Sequence, residues 1–147
     1  MRELAITLPE PNRPGAYDLP FVVSGNLVFL TGQPPQWNGT RKFIGKLNRE
    51  FGLAEGRAAA RLCAINLIAH LRTALDGDLD RVARCLRVAG YVNATPDFAL
   101  QSQVVDGASD VIVAVFGDPG RHVRIAVGVA ALPYDVAVEV EAAFEIR

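Results

Sequence analysis

Apolar residues recur three and four positions apart between Ala54 and Leu75, at Leu62, Ile65, Ile68, Leu71 and Leu75, with no proline or glycine after Gly56. That spacing predicts a long helix with one buried stripe, ended by Gly77. Elsewhere the period shortens. Phe21-Val22-Val23 and Leu27-Val28-Phe29-Leu30-Thr31 flank the turn residues Ser24-Gly25-Asn26, which predicts an antiparallel hairpin. Val82 to Val92 mixes β-branched and aromatic residues as a strand does, and a second helix is expected from about Phe98 to Val115, with Gly107 as the weak point of its interior. Arg124 to Ala130 and Val136 to Ile146 alternate as two final strands joined at Ala131-Leu132-Pro133-Tyr134. Residues 9–20 hold Pro9, Pro11, Pro14, Gly15 and Pro20, too many for a regular helix or a central strand. Residues 33–48 are polar with two prolines and two glycines, a surface loop with a short strand around Lys42-Phe43-Ile44.

The predicted order is β-β-α-β-α-β-β in one domain over residues 1–147, with no repeat or linker. Helices this apolar must cover one face of the sheet, giving a two-layer α+β sandwich. The last two strands carry a question of sides. Val136, Val138 and Val140 alternate with Ala137, Glu139 and Glu141, while Ile125, Val127 and Val129 alternate with Arg124, Ala126 and Gly128. If both valine rows share one core and the two strands form a hairpin with a loop of about four residues, Arg124 falls opposite Glu139.

Composition narrows the function classes. Half the chain is hydrophobic and 21% is charged, enough apolar surface for a packed core without metals or disulfides. The net charge of -1 supplies no general attraction to a phosphate backbone, so no nucleic-acid partner is expected. The N-terminus has an early acid and Pro9 where a signal peptide would need an apolar run, and no stretch approaches the ~20 apolar residues of a membrane span. A soluble cytoplasmic protein with no membrane partner is expected. Cys63 and Cys85 lie in apolar runs without metal or redox spacing and are expected as core thiols.

Arg124, Glu139 and Glu141, floored by Ala126, Gly128 and Ala137, form the candidate site, a charged cluster with room for an anion. On pattern alone, a solvated sheet face or a subunit interface is the more ordinary account. Tyr17 in the proline-rich segment and Thr31-Gly32-Gln33 at a strand end are further candidates, against a loop anchor and a plain strand end. His70 reads as a surface or partly buried helix residue and His122 lacks an evident partner. No metal spacing, phosphate loop or nucleophile motif is present, so neither metal nor cofactor is expected.

The segment Gly25-Asn26-Leu27-Val28-Phe29-Leu30-Thr31-Gly32-Gln33 resembles the "G-N-x-x-x-x-S-G-Q" opening of the Rid (YjgF-type) family. Arg124 through Pro133 and Val136 through Ala142 are similar to its "R-x-x-V-x-V-x-x-L-P…V-E-I-E-A" signature. With Val92-Asn93-Ala94-Thr95-Pro96-Asp97-Phe98 between them, the resemblance spans nearly the whole chain. It implies a chorismate-mutase-like mixed sheet with two helices on one face, assembled as a homotrimer with ligand pockets in clefts between subunits. It also implies a hydrolytic enamine/imine deaminase that converts 2-imino acids to 2-keto acids and ammonia. In that implied site Arg124 clamps the substrate carboxylate, Glu139 orients or activates the water, and Tyr17, Thr31 and Gly32 line the pocket. The chain departs from the family pattern at Ala126, where cysteine is common, and at Pro96, where asparagine is common, which implies a divergent subgroup. The same arginine would serve a non-catalytic trimeric module that binds or senses small carboxylic acids. Ribonuclease or translation inhibition, also attached to the family, sits poorly with the charge balance.

Overall fold

The computed structural model describes residues 6–11 and 15–147. Pro14 and residues 1–5, on which part of the N-terminal expectation rests, lie outside the described residues. Strands β1 (Phe21–Ser24) and β2 (Leu27–Gln33) form the expected hairpin, Ser24 pairing with Leu27 across a turn in which Gly25 takes the left-handed φ of +60°. The expected 33–48 loop contains a small hairpin of its own, β3 (Gln36–Trp37) and β4 (Thr40–Arg41), while Phe43 and Ile44 stay outside its two strands.

Helix α1 (Leu53–Ala74) follows the apolar period, with Ala59, Ala60, Cys63, Ala64, Leu67, Ile68 and Leu71 fully buried. The Gly77 amide donates to the Arg72 carbonyl at 2.8 Å and closes the last turn. Strand β5 (Val82–Asn93) leads to helix α2 (Gln101–Phe116), which starts three residues later than the pattern suggested. Gly107 does not break it. A Cβ there would lie 2.1 Å from the Arg57 carbonyl oxygen, so the glycine lets α1 and α2 touch backbone to backbone. Strands β6 (Val123–Val129) and β7 (Val138–Ile146) complete a mixed sheet of order β1-β2-β7-β5-β6, with α1 and α2 on one face. Cys63 and Cys85 are buried free thiols, and no helix among the described residues is long and apolar enough to cross a membrane.

One expected pairing fails, and its failure reassigns the faces. Strands β6 and β7 are not neighbours: β6 is an edge strand parallel to β5, and β7 lies antiparallel between β2 and β5. The link between them does not fold back as a hairpin because its backbone is engaged elsewhere. The Gly45 amide donates to Asp135 O at 2.7 Å, Ala137 N donates to Phe43 O at 2.9 Å, and the buried Asn93 amide donates to Asp135 Oδ1 and Val136 O. Arg124 therefore sits opposite Val88 on the helix-covered face, not opposite Glu139. Ile125 and Val127 share the open face with Glu141 and Glu139, aligned through Ala89 and Tyr91.

Candidate functional site

Glu139 projects from β7 beside a break in the β2–β7 ladder between Leu30 and Gln33. Thr31 and Gly32 occupy that break. A Cβ on Gly32 would stand 3.3 Å from Glu139 Oε2, so the missing side chain is what lets the carboxylate lie against the β2 backbone. Thr31 is committed to the chain before it: its amide donates to Pro20 O at 3.0 Å and its hydroxyl donates to Leu19 O. Beneath the break, Gln33 Nε2 donates to Thr31 O at 3.1 Å, and Asn66 of α1 donates to Gln36 O at 2.7 Å. Asn66 thus ties the helix to β3, and Gln36 Nε2 donates on to Gln33 Oε1 of the bulged strand at 3.5 Å.

Thr31, Gly32 and Glu139 line one cavity of about 400 Å³. Asp18, Arg41, His70 and Tyr134 complete its polar wall. Burial, and secondarily the like charge of Glu141, raise the Glu139 carboxyl above the ordinary carboxylate range. Burial lowers His70, which favours a neutral imidazole in the cavity at neutral pH. Arg41 ends the β3–β4 hairpin with its guanidinium carbon 3.5 Å from the Tyr134 ring centroid, a cation–π stack that covers one face of the fork. Glu141, one pleat along, accepts from the Tyr91 hydroxyl at 2.8 Å and pairs with Arg87 at 3.5 Å.

The structure thus brings together three of the expected site residues, Thr31, Gly32 and Glu139. It leaves two apart. Tyr17 is 97% exposed and does not line the cavity, although Gly15, Asp18 and Pro20 around it do. Arg124 Nη1 donates to Asp106 at 2.7 Å and to Ser109 Oγ at 3.1 Å, Nη2 donates to Ser102 O, and Ser109 in turn meets His122 Nε2 at 2.9 Å. That chain fastens the edge strand β6 to α2. Pro96 lies in a separate cavity of about 340 Å³ with Thr95, Phe98, Gln101 and Gly128.

Sequence reasoning passed over Arg41, Asp18 and Tyr134 as site residues, and it read His70 as a surface or partly buried residue, whereas the side chain is buried, 2% exposed, against the cavity. One of them had a signal: Asn66 and His70 stand four apart on the stripe of Cys63 and Leu67, so α1 buries two polar groups that call for partners. Among the described residues no group of His, Cys, Asp and Glu is placed to hold a metal ion.

Comparison with known proteins agrees with this architecture. The chain is 42% identical over 148 residues to Protein TCP17 of Trypanosoma cruzi, covering 100% of this chain and 92% of that protein. A crystal structure of the Agrobacterium tumefaciens protein Atu1372, described as of unknown function, superposes with a TM-score of 0.93 at 41% identity, covering 99% of this chain and 89% of that one. E. coli TdcF, crystallised with bound serine, shares the fold at a TM-score of 0.64 and 21% identity, covering 97% and 96% of the two chains. Residues 3–144 match the family described as "YjgF/chorismate_mutase-like, putative endoribonuclease", and the chain belongs to that YjgF family.

Proposed function

We propose that the chain hydrolyses 2-imino and 2-enamine carboxylic acids to 2-keto acids and ammonia, with Glu139 as the group that handles the water. The observation that carries this reading is a half-buried carboxyl with raised proton affinity, set against Gly32 in a cavity that an arginine also lines. A carboxyl whose proton affinity is raised above the ordinary carboxylate range suits a base that must take a proton and return it. Glu139 removes a proton from water as the oxygen bonds to the C=N carbon and the π electrons pass to nitrogen. The proton returns to nitrogen to give the carbinolamine; Glu139 then takes the hydroxyl proton and passes it to the amine, and ammonia departs as the C=O bond closes. Asp18 lines the polar wall, the Gln33–Gln36 pair braces it, and Gly32 keeps Glu139 close to the backbone.

A homotrimer fits the open face of the sheet. Val22, Phe29, Val123 and Ile125 are exposed there at 49, 50, 70 and 47%, an apolar surface of the kind that marks a subunit interface. Arg41 lines the cavity and is the guanidinium available there for a substrate carboxylate; Arg124, bonded to Asp106, Ser109 and Ser102 at the β6 edge, would serve one only by leaving those partners in the assembled trimer. Serine bound to TdcF supports an amino-acid-sized ligand for the fold. A trimeric module that binds or senses the same acids without turnover is the second reading, favoured by the departures at Ala126 and Pro96.

The test generates 2-imino acids in situ with an amino-acid oxidase and follows keto-acid release, wild type beside Glu139→Gln. Acceleration by wild type and none by a folded variant is expected. Saturable ligand binding without acceleration over a panel of side chains would transfer the assignment to the binding module.

A further inference from the structure

Ser109 stands on α2 and His122 just before β6, and the two meet at 2.9 Å, Oγ to Nε2. The direction of that bond follows from the other ring nitrogen. His122 Nδ1 lies 2.6 Å from Gly120 O, and a carbonyl only accepts, so Nδ1 carries the proton. In the neutral imidazole Nε2 is then the acceptor, and the Ser109 hydroxyl donates to it. A serine within a helix commonly turns its hydroxyl back to a carbonyl of the preceding turn; this one is aimed at a base.

The oxygen of that hydroxyl is engaged as well. Arg124 Nη1 donates to Ser109 Oγ at 3.1 Å and to Asp106 Oδ1 at 2.7 Å. A hydroxyl that donates to a neutral imidazole and accepts from a guanidinium is polarised at both ends: the base can take the proton, and the positive charge stabilises the oxygen left behind. Hydroxyl, imidazole and Gly120 carbonyl stand in the order of nucleophile, base and orienting group, with the carbonyl in the place a carboxylate takes in a hydrolytic triad.

The group is within reach of solutes. Ser109 and His122 are half-buried, β6 is an edge strand, and Val123 next to His122 is 70% exposed. A small molecule approaches the hydroxyl without displacing the core. Neither residue lines the Glu139 cavity, so the group stands apart from the site assigned above and does not depend on that assignment.

We propose that Ser109 is a nucleophile activated by His122, and that it accepts an acyl group from small activated esters and thioesters. Ser109 Oγ bonds to the carbonyl carbon as its proton passes to His122 Nε2; the bond to the leaving group then breaks, and that group departs with the proton. Water attacks the resulting serine ester while giving a proton to Nε2, the bond from carbon to Oγ breaks, and the proton returns to Oγ. Arg124 supplies the charge that faces the developing oxyanion. With the site open to water, the donor must bring a good leaving group of its own.

The test incubates the full chain with p-nitrophenyl acetate or with an alkyl fluorophosphonate, whose phosphonyl ester water does not readily clear. Samples are quenched in acid at short times, and the modified residue is located by peptide mass mapping, in wild type, Ser109→Ala, Ser109→Cys and His122→Gln. Wild type should carry both groups on Ser109. The Ser109→Ala chain should lose the label from that peptide, and Ser109→Cys should acylate at the same position, because a thiol beside a base is a stronger nucleophile. His122→Gln should slow labelling by about 10²-fold, with circular dichroism melts showing the variants folded. Neither probe on Ser109 in wild type, or labelling of His122→Gln as fast as wild type, overturns the proposal. The mapping of wild type needs no variant, so a substitution that unfolds the chain leaves the test decisive.

Discussion

At the β6 edge, Arg124 donates to Asp106 at 2.7 Å and to Ser109 and Ser102 besides. At the β2–β7 end, Arg41 rests on the Tyr134 ring at 3.5 Å with no carboxylate partner among the described residues. The two side chains share their chemistry and differ in what surrounds it. Arg124 sits on the helix-covered face, where partial burial is compensated by hydrogen bonds, and the result fastens an edge strand. Arg41 is exposed and lines the Glu139 cavity, where no carboxylate pairs with it among the described residues. The sheet breaks its ladder at the second place and keeps it regular at the first.

Several substitutions separate the two ends. Glu139→Gln carries the largest effect: loss of the base should lower imine turnover by about 10²-fold or more, measured as keto-acid release. Arg124→Ala should act on stability. Removing it leaves Asp106 without its ion pair and should cost about 1–2 kcal/mol, discounted because Asp106 is 43% exposed, whereas Arg41→Gln should stay within about 0.5 kcal/mol; urea titrations read both. Next come two glycines. Gly32→Ala should push Glu139 away from β2 and lower turnover, while Gly128→Ala meets only the end of the flexible Gln101 side chain at 2.9 Å and should leave turnover nearly unchanged.

The smallest expected effect is in pH. Because Glu139 is raised in the fold, first by burial and then by Glu141, the acid limb of kcat/KM should lie above the ordinary carboxylate range. Glu141→Gln should move that limb back down. The linked stability has a definite sign: a carboxyl raised by folding contributes stability that is complete below its unfolded pKa and is lost as pH rises through the folded value. Glu139→Gln should therefore be relatively more stable than wild type at neutral pH than in acid, as denaturant titrations at the two pH values would show.

The long elements were legible in the sequence because each rests on a local period: the Leu62–Leu75 stripe, the Gly25-Asn26 turn and the alternation in β7; the two-residue strands β3 and β4 are too short to show one, and the strand expected around Lys42-Phe43-Ile44 lies instead at Gln36–Trp37 and Thr40–Arg41. The partner of β6 was not. Alternation tells which residues share a face of one strand, but whether two successive strands pair depends on where the link between them finds its hydrogen bonds. Here Phe43, Gly45 and Asn93 supply those bonds from far along the chain. The same long-range step hid Arg41, Asp18 and Tyr134, which reach the cavity from three segments far apart in the chain. Glu139, Thr31 and Gly32 were legible because their motif keeps them on strands that β7 and β2 bring side by side.

The most direct test of the account measures imine hydrolysis and urea unfolding together for Arg41→Gln and Arg124→Gln. The account predicts that Arg41→Gln loses turnover at wild-type stability, while Arg124→Gln loses stability and keeps its turnover per folded molecule. A folded Arg124→Gln without turnover, beside a fully active Arg41→Gln, would contradict it and place the carboxylate clamp at the β6 edge between subunits.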